Sequence, residues 1–286
     1  MRGPDTREYL VRFLLPSPSV EDTAYARVYE PFDAPAEEPL PTLVYGTGLA
    51  MAWDSIEYWT EEEYVGRKLT LEGYRVVLPV PPWHGRREIP GSYTGEPYPA
   101  RMPVSAIELY ATQAIETAVL VDWARSRGAP VVGVGGLSLG GIVTIFVAAH
   151  AGTWPERMRP DVAIPVAASA DIGDLLFESS LAEILDVTGT LRDARWSPEL
   201  MRELDSLLAA PETPGLAPGR IFPVGGRVDE MTQYSTTRET LDRWGVPDES
   251  RLEWDRGHFR VTLRAMRPEE FQEFVRTALA SPTRSG

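Results

Sequence analysis

Gly136-Leu137-Ser138-Leu139-Gly140 sets one serine midway between two glycines. The run before it, Pro130-Val-Val-Gly-Val, is apolar and β-branched and reads as a buried strand. The run after it, to about Ala151, is apolar and reads as a helix. G-x-S-x-G between a strand and a helix marks a tight, strained turn that lifts a serine hydroxyl clear of a sheet edge. A residue held in an unfavourable backbone conformation crowds the positions two away, and glycine has no Cβ to crowd. The following helix aims its N-terminus at the site and favours developing negative charge there. The chemistry implied is nucleophilic attack by Ser138 on an acyl carbonyl. The competing reading is a Gly-rich strand-to-helix loop with an incidental serine, and the flanking elements argue against it.

A serine hydroxyl is a weak nucleophile near neutral pH and needs a base, with a third group to orient that base. The chain has three histidines. His258, in Asp255-Arg-Gly-His258-Phe, follows the last expected strand and is the candidate base. His150 falls at the end of the helix after the serine and suits a helix-terminal role. His84, in Pro82-Trp-His-Gly, is a candidate substrate contact, with loop hydrogen bonding as the alternative. Asp229 is the first candidate for the acid. It follows an expected strand and precedes His258 by room for one helix and one strand, giving the chain order serine, acid, histidine. Asp171 and Glu230 are the competing acids. The oxyanion needs backbone donors: the amide of Leu139, directly after the nucleophile, and an amide of the turn Gly46-Thr47-Gly48, Thr47 before Gly48. Trp53, Trp59, Trp83 and Tyr93 lie on loops at the same expected edge. They are candidates for an apolar substrate pocket, or else for core packing.

These residues need a frame. Strands and helices alternate from about Leu43, which predicts an α/β domain with a parallel sheet covered on both faces. Expected strands are Thr42 to Tyr45, Tyr74 to Val80, the run into Ser138, Asp161 to Ala168, Arg220 to Val224 and Arg251 to Trp254. Tyr9 to Leu15 and Tyr25 to Tyr29 read as an antiparallel edge. Helices are expected over Glu61 to Glu72 and Val104 to Arg127, separated from each other by a proline- and aromatic-rich loop over Pro81 to Pro103. Between Asp171 and Pro218 the alternation breaks into two amphipathic helical patterns, read as a helical lid inserted in a single domain of residues 1–286. Ordinary sheet-covering helices are the alternative for that stretch.

Composition sets bounds. The formal charge of −14 and a pI near 4.8 argue against a nucleic-acid partner. The chain has no cysteine, which removes disulfides, thiolate catalysis and cysteine metal sites together. No metal or organic cofactor is called for by the constellation. No run reads as the roughly 18 apolar residues of a membrane span, and the first residues lack a signal-like apolar stretch. The expectation is a cytoplasmic protein acting on a small molecule.

The order of these motifs, over about Thr42 to Phe259, resembles the α/β-hydrolase superfamily. The resemblance implies a mostly parallel sheet of about eight strands with helices on both faces, a lid after the sixth strand, and hydrolysis of esters, thioesters or related bonds. The sequence departs from the family's common His-Gly before the oxyanion loop; here it is Tyr45-Gly46-Thr47-Gly48. That form, with Pro82-Trp-His-Gly-Arg-Arg in the next loop, is similar to a little-described abhydrolase-domain branch. The expected activity is that of a carboxylic ester hydrolase. A thioesterase, a peptidase, a C–C bond hydrolase or a non-catalytic binding protein are the rivals. Haloalkane dehalogenase and epoxide hydrolase chemistry is disfavoured, because those members carry aspartate where Ser138 stands.

Overall fold

Six parallel strands carry the candidate residues to one edge of an eight-stranded sheet. The computed structural model describes residues 6–14, 22–35, 38–51, 65–203, 210–266 and 269–281. Strands β1 (Thr6–Leu14) and β2 (Thr23–Pro31) pair antiparallel, and β2 pairs antiparallel with β4 (Arg75–Pro79). β3 (Thr42–Gly46), β4, β5 (Val132–Leu137), β6 (Val162–Val166), β7 (Val224–Gly226) and β8 (Leu252–Trp254) run parallel. The spatial order is β1-β2-β4-β3-β5-β6-β7-β8. This is the expected antiparallel edge on a parallel sheet. β3 to β6 are buried along their whole length, as strands covered on both faces must be, which is why they read as near-continuous apolar runs.

Helices cover the two faces. α1 (Val65–Leu71) packs on one. α2 (Pro97–Ala100), α3 (Val104–Ser126) and α4 (Leu139–His150) lie on the other, around Val44, Val77, Val132 and Val134. After β6 come α5 (Ile172–Phe177), α6 (Ser180–Ile184), α7 (Val187–Asp193) and α8 (Pro198–Glu203). α9 (Tyr234–Arg243) follows β7. α10 (His258–Met266) and α11 (Glu269–Ala280) follow β8 and join α1 around Leu43, Val76 and Ile164.

Several boundaries differ from expectation. The seventh strand begins at Val224 rather than Arg220, because Pro218–Arg220 is a 3-10 turn and Pro223 has no N–H for a ladder. Only Ile221 makes an isolated bridge ahead of it, to Ala163. The loop from Pro81 to Pro103 carries a 3-10 turn at Gly85–Arg87 as well as α2. Among the described residues, the stretch from Asp171 holds four short helices where two patterns were expected. Leu175, Leu176, Ala182, Val187 and Leu191 turn from these helices into the same core as α4. The described part of the helix expected from Glu61 is α1.

By length and composition, α3 would pass for a membrane span, contrary to the sequence reading. Two thirds of its apolar window is buried inside the protein. Gln113 and Glu116 are buried on it too, and Glu116 pairs with Arg87 at 2.9 Å, so α3 fits a core helix.

Candidate active site

β5 ends at Leu137 and α4 begins at Leu139, leaving Ser138 alone in the turn. Its φ of 52° and ψ of −110° lie outside the ordinary regions for a side-chain-bearing residue. The turn is held by Ser138 N–H donating to Val166 C=O at 2.8 Å and by Ile142 N–H donating to Ser138 C=O at 2.9 Å. The flanking glycines are required by contact. A Cβ on Gly136 would stand 2.4 Å from the Gly140 carbonyl carbon. One on Gly140 would stand 2.4 Å from that of Gly46. β3, β5 and α4 therefore meet backbone to backbone.

Asp229 lies in the turn after β7, with its side chain out of solvent. Oδ1 accepts the N–H groups of Met231 at 2.9 Å and Thr232 at 3.1 Å. Oδ2 accepts the Thr232 hydroxyl at 3.0 Å and faces His258 Nδ1 at 2.8 Å. His258 opens α10, nearly buried, and its Nε2 stands 3.0 Å from Ser138 Oγ. Asp229 has no N–H to offer, so the proton between it and the ring belongs to His258 Nδ1. That tautomer leaves Nε2 with a lone pair to accept the Ser138 hydroxyl proton.

The competing acids have other tasks. Asp171 caps α5, its Oδ1 accepting Asp174 N–H at 3.0 Å. Glu230 is exposed, and its backbone carbonyl accepts Ser180 N–H at 3.1 Å. His150 ends α4 with its ring centroid 4.4 Å from that of Phe146.

Thr47 follows β3 and is buried. Its carbonyl accepts Gly140 N–H at 2.9 Å, which docks this turn on the first turn of α4. The next residue, Gly48, comes close enough that a Cβ on it would lie 3.7 Å from Ser138 Cβ. Neither the Thr47 amide nor the Leu139 amide donates to a described residue. The Thr47 hydroxyl is buried and without a partner among the described residues.

Of the expected pocket residues, the structure describes Trp83, His84 and Tyr93, and it does not set them out as a substrate pocket. Trp83 is buried in the core, with the Arg101 guanidinium stacked 5.9 Å from its ring centroid. His84 is fully buried, with both ring nitrogens engaged by backbone, and so presents nothing to a substrate. Both are corrections to the pocket reading and meet its alternatives, core packing and loop hydrogen bonding: the loop folds these two rings inward. Tyr93 is exposed at the loop surface, its N–H bonded to Glu96. Trp53 and Trp59 lie outside the described residues.

Two features were missed in the sequence. Thr232 completes the hydrogen bonding of Asp229, and the spacing Asp229-x-x-Thr232 is the available signal, since aspartate often binds the backbone two or three residues on. Val228 and Phe259 are exposed apolar side chains directly flanking Asp229 and His258. Among the described residues, no three His, Asp or Glu side chains group as metal ligands.

No protein-family model and no curated protein matches the chain. Solved structures do. Dipeptidyl peptidase 4 of Porphyromonas gingivalis superposes with a TM-score of 0.60 at 16% identity, over 96% of this chain. The chain spans only 35% of that protein's length. A brefeldin A esterase, a bacterial homologue of human hormone-sensitive lipase, gives 0.57 at 18% identity, over 97% of this chain and 76% of its own. A fungal esterase from Rhizomucor miehei gives 0.58 at 17%, over 98% of this chain and 84% of its own. At such identities the likeness is one of fold.

Proposed function

The chain has the α/β-hydrolase fold, shared with esterases and peptidases, and on that premise we propose that it is a serine hydrolase of carboxylic esters. The observation that carries this is the unbroken relay from Asp229 Oδ2 through His258 to Ser138 Oγ, with contacts of 2.8 and 3.0 Å. Ser138 Oγ attacks the ester carbonyl carbon as its proton passes to His258 Nε2. The carbonyl π pair moves to oxygen, and that oxyanion is held by the amides of Thr47 and Leu139. Leu139 opens α4, so its N–H has no intrahelical acceptor and carries the positive end of the helix dipole. The imidazolium faces Asp229, which stabilises it without taking the proton. Collapse expels the alcohol, protonated from Nε2, and leaves an acyl group on Ser138. Water, deprotonated by the same nitrogen, releases the acid.

Apolar Val228 and Phe259 beside the relay support an apolar group on the substrate. The helices after Asp171, within the stretch 171–218, serve in this reading as a cap, supported by the Ser180 to Glu230 backbone bond that ties α6 to the acid loop. Thioester, amide and C–C bond cleavage would use the same relay, and a substrate panel separates them. The test of the class is a fluorophosphonate probe followed by peptide mapping. Labelling at Ser138 is expected. No labelling, or labelling at another serine, overturns the reading.

A further inference from the structure

His84 is a buried titratable side chain that the proposed relay leaves without a task. Its ring is pinned between two backbone groups of different loops. Nδ1 faces the Pro82 carbonyl at 2.8 Å, and Nε2 faces Ala50 N–H at 3.1 Å. Only the tautomer with the proton on Nδ1 satisfies both, because a carbonyl requires a donor and an N–H requires an acceptor. Burial also keeps the ring neutral, lowering its pKa to about 4.

What Nε2 holds is the far end of the Thr47 turn. Ala50 has a φ of 58°, a left-handed conformation that alanine adopts at a cost. Gly48 C=O accepts Met51 N–H at 3.2 Å across that residue. The near end of the turn is fixed on α4 by the Thr47 carbonyl. With both ends tied, the Thr47 amide has one direction to point. Without His84, Ala50 is free to relax to an ordinary φ, and the turn relaxes with it.

The support is itself braced. Trp83, next to His84, is also left-handed at a φ of 65°, and Gly95 N–H donates to its carbonyl at 3.0 Å. Gly95 closes over the ring so tightly that a Cβ there would stand 2.7 Å from Nε2. Arg87, three residues on, binds the Val80 carbonyl, Glu116 of α3 and both oxygens of Asp22. Backbone strain maintained by this many contacts marks a functional constraint.

We propose that His84 is a positioning residue, which through the Ala50 N–H aims the Thr47 amide at the oxyanion. This rests on the serine hydrolase reading and extends it to the whole segment Pro82 to Arg87, whose task is then to build the oxyanion support.

Two variants of the full chain test it. In His84→Gln the side-chain oxygen reaches the place of Nε2 and accepts from Ala50. In His84→Asn the amide still donates to Pro82 but falls short of Ala50. With a p-nitrophenyl ester, His84→Asn is expected to lose about tenfold to a hundredfold in kcat, with KM within about twofold. Affinity for a trifluoromethyl ketone, whose adduct with Ser138 places an oxyanion in the same position, should fall in parallel. His84→Gln should recover most of both. Equal activity of His84→Asn and wild type overturns the proposal, and so does equal loss in both variants. Should His84→Asn not fold, imidazole nitrogen NMR of the wild type decides: a proton on Nε2 overturns the proposal, and a proton on Nδ1 is expected. An inactive wild type that also ignores fluorophosphonate overturns both readings; an active wild type with unimpaired His84→Asn overturns this one alone.

Discussion

Ser138 Oγ and His258 Nε2 stand 3.0 Å apart across 120 residues of sequence. Their strands are not neighbours: β6 and β7 lie between β5 and β8. The contact exists because parallel strands all end at one edge, and each delivers its following loop there. β7, next to β8, delivers Asp229 to the other side of the imidazole. Ser138 gains its reach from the unfavourable backbone of the elbow, and His258 gains its direction from Asp229.

If the three side chains act as one unit, their losses will not add. Ser138→Ala should lower kcat by roughly 10⁴-fold or more, and His258→Ala by a comparable factor. The double variant should be no worse than either single one. The check is kcat of all three beside their melting temperatures, which should stay close to wild type for Ser138→Ala. A His258→Ala protein keeping more than about a tenth of wild-type kcat is incompatible with the base role.

The acid is tested by two aspartates that differ in task. In Asp229→Asn, Oδ1 can still accept from Met231 and Thr232. The amide nitrogen then takes the place of Oδ2 and faces His258 Nδ1 with a donor. That favours the tautomer with the proton on Nε2, which cannot accept from Ser138. A fall in kcat of about 10⁴-fold is expected with the fold retained. Asparagine caps a helix about as well as aspartate does, so Asp171→Asn should leave both activity and stability near wild type. Reversed effects would move the acid to the loop after β6 and leave the reaction class standing.

The site was legible where a residue's task is set by local sequence. Gly136 and Gly140 flag the turn at Ser138 by spacing, and Asp229 and His258 follow it in the chain order serine, acid, histidine, each just past a short expected strand. The expected Ser138, His258 and Asp229 come together. What stayed hidden depends on contacts distant in sequence. His84 and Trp83 sit in a loop that looks solvent-facing from its prolines and charges. Their burial follows from Arg87 reaching Glu116 and Asp22, and from Gly95 folding back, which periodicity cannot show. β7 was misplaced because Val224-Gly225-Gly226 has little strand propensity. It is a strand because β6 and β8 flank it. The four short helices described after Asp171 were read as two because apolar residues continue across their breaks at Ser179 and Asp186.

Thr47 separates a backbone task from a side-chain one. Its amide is the proposed oxyanion donor, and its buried hydroxyl has no partner among the described residues. Thr47→Val keeps the shape and the amide and removes a buried polar group that is unpaired. Activity should stay within about threefold, and stability should rise by roughly 1 kcal/mol. Steady-state kinetics and thermal unfolding decide it. A loss of kcat above about tenfold would assign the hydroxyl a direct part in holding the oxyanion.

His84 should also leave a signature in acid that requires no substrate. Burial is the main cause that lowers its pKa from 6.5 to about 4; nearby Arg87 lowers it further, and the Pro82 carbonyl partly opposes both. Above pH 6.5 the ring is neutral in the folded and the unfolded chain, and it contributes no pH dependence. Between pH 6.5 and about 4 the unfolded chain takes up a proton that the folded one refuses, so stability falls as pH falls. Below about 4 both states are protonated and this contribution levels off. The full difference is roughly 3 kcal/mol, at 1.36 kcal/mol for each pKa unit. Glutamine does not titrate, so the stability of wild type relative to His84→Gln should drop by about that amount between pH 7 and pH 4. Denaturant unfolding of the two proteins across this range measures it, and subtracting one from the other removes the carboxylates common to both. Parallel curves would mean that His84 takes up its proton in the folded chain as readily as in the unfolded one. The Ala50 N–H would then face a donor in mild acid, and the turn that carries Thr47 would lose its hold.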